Sequence, residues 1–420
     1  MKRLLYIALI MVLTITSVGC GDKKTESNEI NVYMLNPDMY MESFLSSYRG
    51  ESGEITVNVE IGMTSTDMNI GDALKKLNTE LMGDEGPDII VLDGINPKGY
   101  IESGKFEKLN GIIDGKKDLI DGFRKSQGDE IYYVPLSIGV IGEFYKPELQ
   151  IDFDNIESYV NSIKTNDTKS GFFSDNAIIA YKTDLEPLLI KNKNIDRGIL
   201  QTFFENIKGL LAVSQDMQGI LKSSIGPHDY TPDSTLDYMK IFFNKAGATR
   251  TYVLGIEELQ QIYNFREGGK ISFELAEIND EIVYMPNCIL AVNKNSINKE
   301  KSMKMIEYLL SKEGQLDVAN IGGYIPINTV ALKETLAVKE TYNEYVQIGE
   351  DSQNFMFRAF TKDQIEEIVN YLEEVSYECN SDAYLMEIVL TAAQDYTNGK
   401  MSLEAALDST MSKIQIYMSE

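Results

Sequence analysis

Hydrophobic and polar positions alternate from Glu29 to Leu35, with Ile30, Val32 and Met34 on one face. Asn36-Pro37-Asp38 then breaks the pattern, as a loop after a strand should. Tyr40 to Tyr48 carries Met41, Phe44, Leu45 and Tyr48 at helical spacing, and Ile55 to Ile61 alternates again as a strand. Asp72 to Met82 has Leu74, Leu77 and Leu81 on one helical face, with Gly83 where a helix ends. Gly86-Pro87-Asp88 leads into Ile89-Ile90-Val91-Leu92 and then Asp93-Gly94. An unbroken apolar run between turn residues predicts a strand buried on both faces of a parallel sheet. The first hundred residues therefore read β-α-β-α-β, the order of a doubly wound α/β sheet with helices on both faces. In such sheets ligands bind beyond the carboxyl ends of the strands.

Further on, Tyr132 to Leu136 predicts another strand, with Pro135 near an edge. Residues 139–284 form a second block of mixed pattern, containing Ile178-Ile179-Ala180-Tyr181 and helical stretches around 198–213 and 256–265. Ile289 to Val292 predicts a short strand, and Asn298 stands at the cap of a helix bearing Met303, Ile306 and Leu310. The last eighty residues read as helical, with Leu403, Leu407, Met411, Ile414 and Met418 in one stripe behind Ser402. No internal repeat or low-complexity block interrupts the chain.

The first twenty residues have a different logic. Lys2 and Arg3 give a positive start, Leu4 to Thr16 is almost wholly apolar, and Ser17-Val18-Gly19-Cys20 follows. The apolar run is shorter than the ~20 residues of a membrane span and has signal-peptide length. The segment resembles the lipobox of bacterial lipoproteins, except that Ser17 stands where that family prefers Leu. The resemblance implies a signal peptide over 1–19, lipidation at Cys20, a flexible tether over 20–29 and a lipid-anchored, extracytoplasmic protein at the cell membrane. An ordinary signal peptide is the alternative, and it leaves the chain outside the membrane as well.

Composition narrows the function. The formal net charge of −26 opposes general binding to nucleic acid or to anionic lipid, both of which need a positive face. Loss of Lys2 and Arg3 with the leader would leave −28. Beyond Cys20 only Cys288 and Cys379 remain, which fits buried small side chains better than a disulfide framework. The lone His228, in Gly226-Pro227-His228-Asp229, reads as a loop residue. A Ser-His-Asp triad would have to use this loop residue, a single histidine argues against a zinc site, and no Gly-x-Ser-x-Gly, His-Glu-x-x-His or Walker loop is present. Neither a metal nor a cofactor is expected, and binding is favoured over catalysis.

Four segments in order carry a family likeness. They are Leu74–Leu109 with Gly86-Pro87-Asp88 and Ser103-Gly104-Lys105-Phe106; Tyr133-Val134-Pro135 with Phe144-Tyr145-Lys146; Leu290-Ala291-Val292 to Glu313-Gly314-Gln315; and Gly323-Tyr324-Ile325-Pro326-Ile327-Asn328. In these the chain resembles the family 1 extracellular solute-binding proteins of ABC importers over most of residues 30–420, least so over 185–275. The resemblance implies a two-lobed periplasmic-binding-protein-like α/β fold, each lobe a central sheet flanked by helices, joined by crossing hinge strands. By analogy one lobe takes 30–138 plus 286–335 and the other 139–285 plus 336–420.

It also implies a partner, the ABC permease, and a small-molecule cargo held between the lobes, with a carbohydrate favoured. Residues on loops after strands are the candidate contacts: Asn36, Asp38, Tyr40, Thr64, Ser65, Thr66 and Asp93, with Tyr133, Tyr284 and Tyr324 near the crossings. Asp and Asn exchange hydrogen bonds with hydroxyls, and aromatic rings offer an apolar face to a sugar ring. Asp38 and Asp93 fit helix caps equally well. A peptide-binding or sensory lipoprotein of the same fold, or a secreted hydrolase, are the competing readings. A monomer is expected, since no heptad seam is present.

Overall fold

The structure is a computed structural model that describes residues 28–64, 69–83, 86–171, 173–192, 196–214, 237–348 and 350–418. The expectations for 1–19, Cys20 and most of the tether, and those for Ser65, Thr66 and His228, fall outside the described residues.

Strands β1 (Glu29–Met34), β2 (Thr56–Ile61) and β3 (Ile89–Val91) pair in parallel with β1 in the middle. The crossover helices Met39–Ser47 and Ile70–Met82 begin at Asp38 and Asn69, whose side chains accept backbone N–H groups of the first turn. The predicted β-α-β-α-β order is observed. β3 is buried throughout, as its unbroken apolar run requires.

The remaining strands are β4 (Tyr133–Tyr145), β5 (Ala248–Val253), β6 (Ser272–Leu275), β7 (Glu277–Ile278), β8 (Glu281–Val292), β9 (Tyr342–Ile348), β10 (Asp351–Phe357) and β11 (Tyr377–Glu378). Nine of the described strands form one sheet in the order β2-β1-β3-β8-β4-β5, with β6 on β4 and with β7 and β11 on β8. β4 and β8 are the members shared by both halves. They pair antiparallel from Tyr133–Ala291 to Val140–Tyr284. At one end β8 flanks β3, and at the other β4 flanks β5. Helices cover both faces, giving the two-lobed arrangement with crossing strands. The strands predicted at 132–136 and 289–292 are thus only the apolar ends of elements of thirteen and twelve residues. Gly139, Gly142 and Asn287 interrupt the apolar run without interrupting the backbone pairing, whereas the register skips Cys288.

A third thread, Gly323 to Asn328, lies beside the crossing. Ile138 N–H donates to Ile325 O (3.0 Å), and Ile120 N–H to Ile327 O (2.9 Å). Gln315, fully buried, ties this thread to the sheet. Its Nε2 donates to Leu136 O (3.0 Å) and Leu309 O (2.9 Å), while its Oε1 accepts from Asn328 N–H (3.0 Å). Pro135 lies in this same stretch, where β4 has β8 on one side and the Gln315 side chain nearby on the other. Gly314 lets the next helix come this close: a Cβ there would sit 2.3 Å from Tyr308 O and 2.7 Å from Leu309 Cα.

Several expectations need correction. Residues after 340 are not all helical, because β9 and β10 form an antiparallel hairpin before the helices Lys362–Glu374, Ala383–Thr397 and Leu403–Tyr417. Val346, Phe355 and Phe357 are buried, and Phe355 meets Phe242 edge-on at 4.9 Å. Asn298 precedes its helix without a capping bond; its amide donates instead to the Asp88 carboxylate (3.3 Å). In the final stripe Leu407 and Ile414 are buried, whereas Met418 is exposed. Cys288 and Cys379 are unpaired and buried. Among the described residues no helix is long and apolar enough to cross a membrane.

The Gly314 contact is with backbone, which cannot yield as a side chain would. Gly314→Ala is expected to lower stability by about 1–3 kcal/mol. A drop in the urea unfolding midpoint at unchanged slope would measure it.

Candidate functional site

The carboxyl ends of β1 and β3 face the crossing, where β8 bends. Cys288 has φ +51°, a left-handed conformation that a side chain disfavours by about 1–2 kcal/mol. Its N–H turns out of the ladder and donates to Asp93 (2.8 Å), and Ile289 N–H donates to the other Asp93 oxygen (2.9 Å). Asp93 thus clamps the end of β3 to the bend. Burial first, then Asp93 and Asp38, hold the Cys288 thiol well above the usual range.

Asp38 is both the helix cap and a partner of the third thread. One oxygen accepts from Tyr40 and Met41 N–H (3.0 and 2.9 Å), and the other accepts from the Tyr324 hydroxyl (2.5 Å). Burial and the Asp38 charge push the Tyr324 phenol far above its ordinary value. Asn36, at the end of β1, has its Nδ2 buried without a hydrogen-bond partner. Tyr40 is 57% exposed and Thr64 is exposed.

Tyr133 and Tyr284 gather elsewhere. Both hydroxyls donate to Glu378 at 3.1 Å, one to each oxygen, and Ser126 donates to the same carboxylate. This node joins β4, β8 and β11. Burial drives the Glu378 carboxyl upward, opposed by these three donors. The predicted residues therefore divide. Asn36, Asp38, Asp93 and Tyr324 come together at the crossing, Tyr133 and Tyr284 form a separate node, and Tyr40 and Thr64 stand outside both.

Opposite β1 and β3 lies the start of the helix Ala383–Thr397. Ala383 N–H donates to Gly94 O (3.0 Å), so the start of this helix is held directly to the loop after β3. Gly94 has φ +77°, and a Cβ there would lie 3.0 Å from Ala383 Cβ. Asp382 accepts from Leu385 N–H (3.0 Å) and from the Tyr417 hydroxyl (2.5 Å). Glu186 holds this segment by accepting from Ser381 Oγ (2.5 Å) and Asp382 N–H (2.9 Å). Burial outweighs these donors and raises the Glu186 carboxyl to about 7. Beside it, Lys182 and Tyr252 are further polar groups that the sequence reading missed. Lys182 follows the apolar run Ile178–Tyr181 and sits in a π-helical turn, Tyr181–Leu185, that no residue pattern announces. Asp382 was findable, since Asp before Ala-Tyr-Leu is a helix-start signal.

A family model described as bacterial extracellular solute-binding protein matches residues 47–348 of the chain. The chain belongs to that family. Solved structures share the fold of this solute-binding protein at low identity. An ABC transporter solute-binding protein from Thermotoga lettingae, bound with α-D-tagatose, is 16% identical, with 93% of this chain and 100% of that one covered and a TM-score of 0.54. The GacH receptor of Streptomyces glaucescens, solved unliganded and with acarbose, is 12% identical, with 94% and 100% covered and a TM-score of 0.53. A family 1 extracellular solute-binding protein from Bifidobacterium longum subsp. infantis is 16% identical, with 92% and 98% covered and a TM-score of 0.51. No curated protein matches the chain.

Two outcomes follow for this binding protein. Asp93→Ala leaves two buried N–H groups unpaired and is expected to cost about 2–4 kcal/mol, read from chemical denaturation. Glu186 keeps its proton to about pH 7 when folded, whereas the unfolded chain releases it near 4.5. Its contribution is therefore greatest below 4.5, declines by roughly 3 kcal/mol as pH rises to 7, and is flat above. Glu186→Gln should remove that decline in the difference between variant and parent stability curves.

Proposed function

We propose that this solute-binding protein is a lipid-anchored, extracytoplasmic receptor that takes a carbohydrate into the crevice between its lobes and delivers it to an ABC importer. The observation that supports the reading is the gathering of Asp38, Asp93 and Tyr324 at the crossing strands, next to the contact of Gly94 with the start of the helix Ala383–Thr397 and to the unpartnered Asn36 amide at the end of β1. Donors and acceptors at short range suit a neutral, hydroxyl-rich molecule. Relatives of the same fold that hold tagatose and acarbose support the choice of sugar.

The lobes would comprise 30–138 plus 286–335 and 139–285 plus 336–420, swinging about β4, β8 and the 323–328 thread. Cargo that bridges both lobes favours the closed arrangement only by its extra affinity for it. The importer would read closure, a monomer would suffice, and Cys20 would carry the anchor. Nothing in this cycle requires bond chemistry.

A thermal-shift screen of sugars, peptides and amino acids on the mature chain tests the reading. A cognate sugar at one hundred times its dissociation constant should add about 2.7 kcal/mol of stability. Stabilisation by a peptide alone, or by no sugar in a broad panel, would sink it.

A further inference from the structure

Near the helix Ala383–Thr397 lies a buried cation that makes no ion pair among the described residues. Lys182 is only 7% exposed. Its Nζ lies 3.9 Å from Met285 Sδ and 5.2 Å from the centre of the Tyr252 ring. No ion pair among the described residues includes Lys182, although the pairs span N–O distances up to 4.0 Å. Beside it the Tyr252 hydroxyl is buried without a hydrogen-bond partner. A buried ammonium without a counter-charge, next to an orphaned phenol, is a costly pair to keep for packing alone.

Register puts the pair on a sheet face that runs toward the crossing. Tyr252 stands opposite Ile141, and Met285 opposite Gly139. Odd-numbered residues of β8 share one face of the sheet, so the face under Lys182 continues through Asn287 to Ile289. Ile289 is the residue whose N–H is held by Asp93. Four residues of extended strand separate Met285 from Ile289, about 13 Å. The Asp93 clamp thus stands at one end of this face and the Lys182 cation at the other.

No carboxylate among the described residues lies within ion-pair distance of Lys182. From the start of the next helix comes Glu186, turned to Ser381 and Asp382, its carboxyl raised by burial to about 7 against the pull of the Lys182 charge. From the segment after β11 comes the Cys379 thiol, which burial keeps protonated by raising it to about 12. From the helix Phe173–Ala180 comes Asp175, which accepts from Thr251 Oγ1 at 3.5 Å.

We infer that Lys182 Nζ and the Tyr252 hydroxyl form an anion subsite, and that the cargo is an acidic sugar carrying one carboxylate. One ammonium and one hydroxyl match a singly charged carboxylate, with no arginine fork among these neighbours to favour a doubly charged phosphate. This inference rests on the sugar-binding reading above and makes it narrower.

Matched pairs decide it: glucose with glucuronate and galactose with galacturonate, plus the corresponding disaccharides, titrated calorimetrically into the parent chain. Loss of a charged hydrogen bond is worth roughly ten- to a hundredfold in affinity, so the acidic member of a pair should bind more tightly by that factor. Lys182→Met should erase the preference, and Tyr252→Phe should weaken the acid alone. Neutral sugars binding as well as or better than their acids would overturn the subsite while leaving sugar capture standing. Binding of acids unchanged in Lys182→Met would also overturn it. Binding of no sugar of either kind would overturn both readings. The comparison on the parent chain stands even if a variant fails to fold.

Discussion

Everything in this molecule depends on two strands running through both halves of one sheet while one of them bends. β8 must leave β3 at one end and meet β7 and β11 at the other. It does so at Cys288, in a backbone conformation a side chain resists. Asp93 makes that conformation possible by accepting the two N–H groups at the bend, Cys288 and Ile289. The carboxylate replaces ladder bonds that the bend removes, and buried N–H groups tolerate no smaller compensation. Gln315 does the corresponding work at the neighbouring strand, and Asp38 with Tyr324 fixes the third thread.

The residues that reveal the family are the ones that hold this crossing. Asp88 of the Gly-Pro-Asp motif accepts from Asn31 N–H (2.8 Å) and from Ser296 (2.5 Å), tying β1 to the segment after β8. Gly314 and Gln315 seat one helix against β4, and Asn328 begins the next by accepting from Val330 and Ala331. A shared fold is legible from such positions because their geometry cannot change. Cargo selection answers to other side chains, since one fold can carry different sites.

The first hundred residues were legible because each element there obeys a single period. β3 is apolar without a break, and the helices carry their caps in sequence. Legibility fails where tertiary context overrides pattern. The crossing strands contain glycine, proline, asparagine and cysteine at their centres, so only their ends look like strands. The hairpin of β9 and β10 starts Tyr342-Asn343-Glu344-Tyr345-Val346, a pattern with strand character that the helices downstream overshadowed. Asp38 and Asp93 stand beyond strand ends, as their sequence positions imply, and both spend hydrogen-bonding capacity on the backbone. Tyr133 and Tyr284 could not be separated from the other tyrosines by pattern, and Glu378 organises them from 94 residues beyond Tyr284. Lys182 is invisible in the sequence because its burial beside the Tyr252 ring exists only once the surrounding elements have folded.

The state of Cys288 and Cys379 has a consequence for a member of an extracellular family. Cys288 is buried at the bend and Cys379 behind Lys182, and neither is bonded to the other. Both are held protonated by burial, so neither offers the thiolate through which oxidants and mixed disulfides react. Maturation of the chain is thereby uncoupled from the redox poise outside the membrane. It needs no oxidase to reach its native form, and a reducing surrounding leaves that form intact.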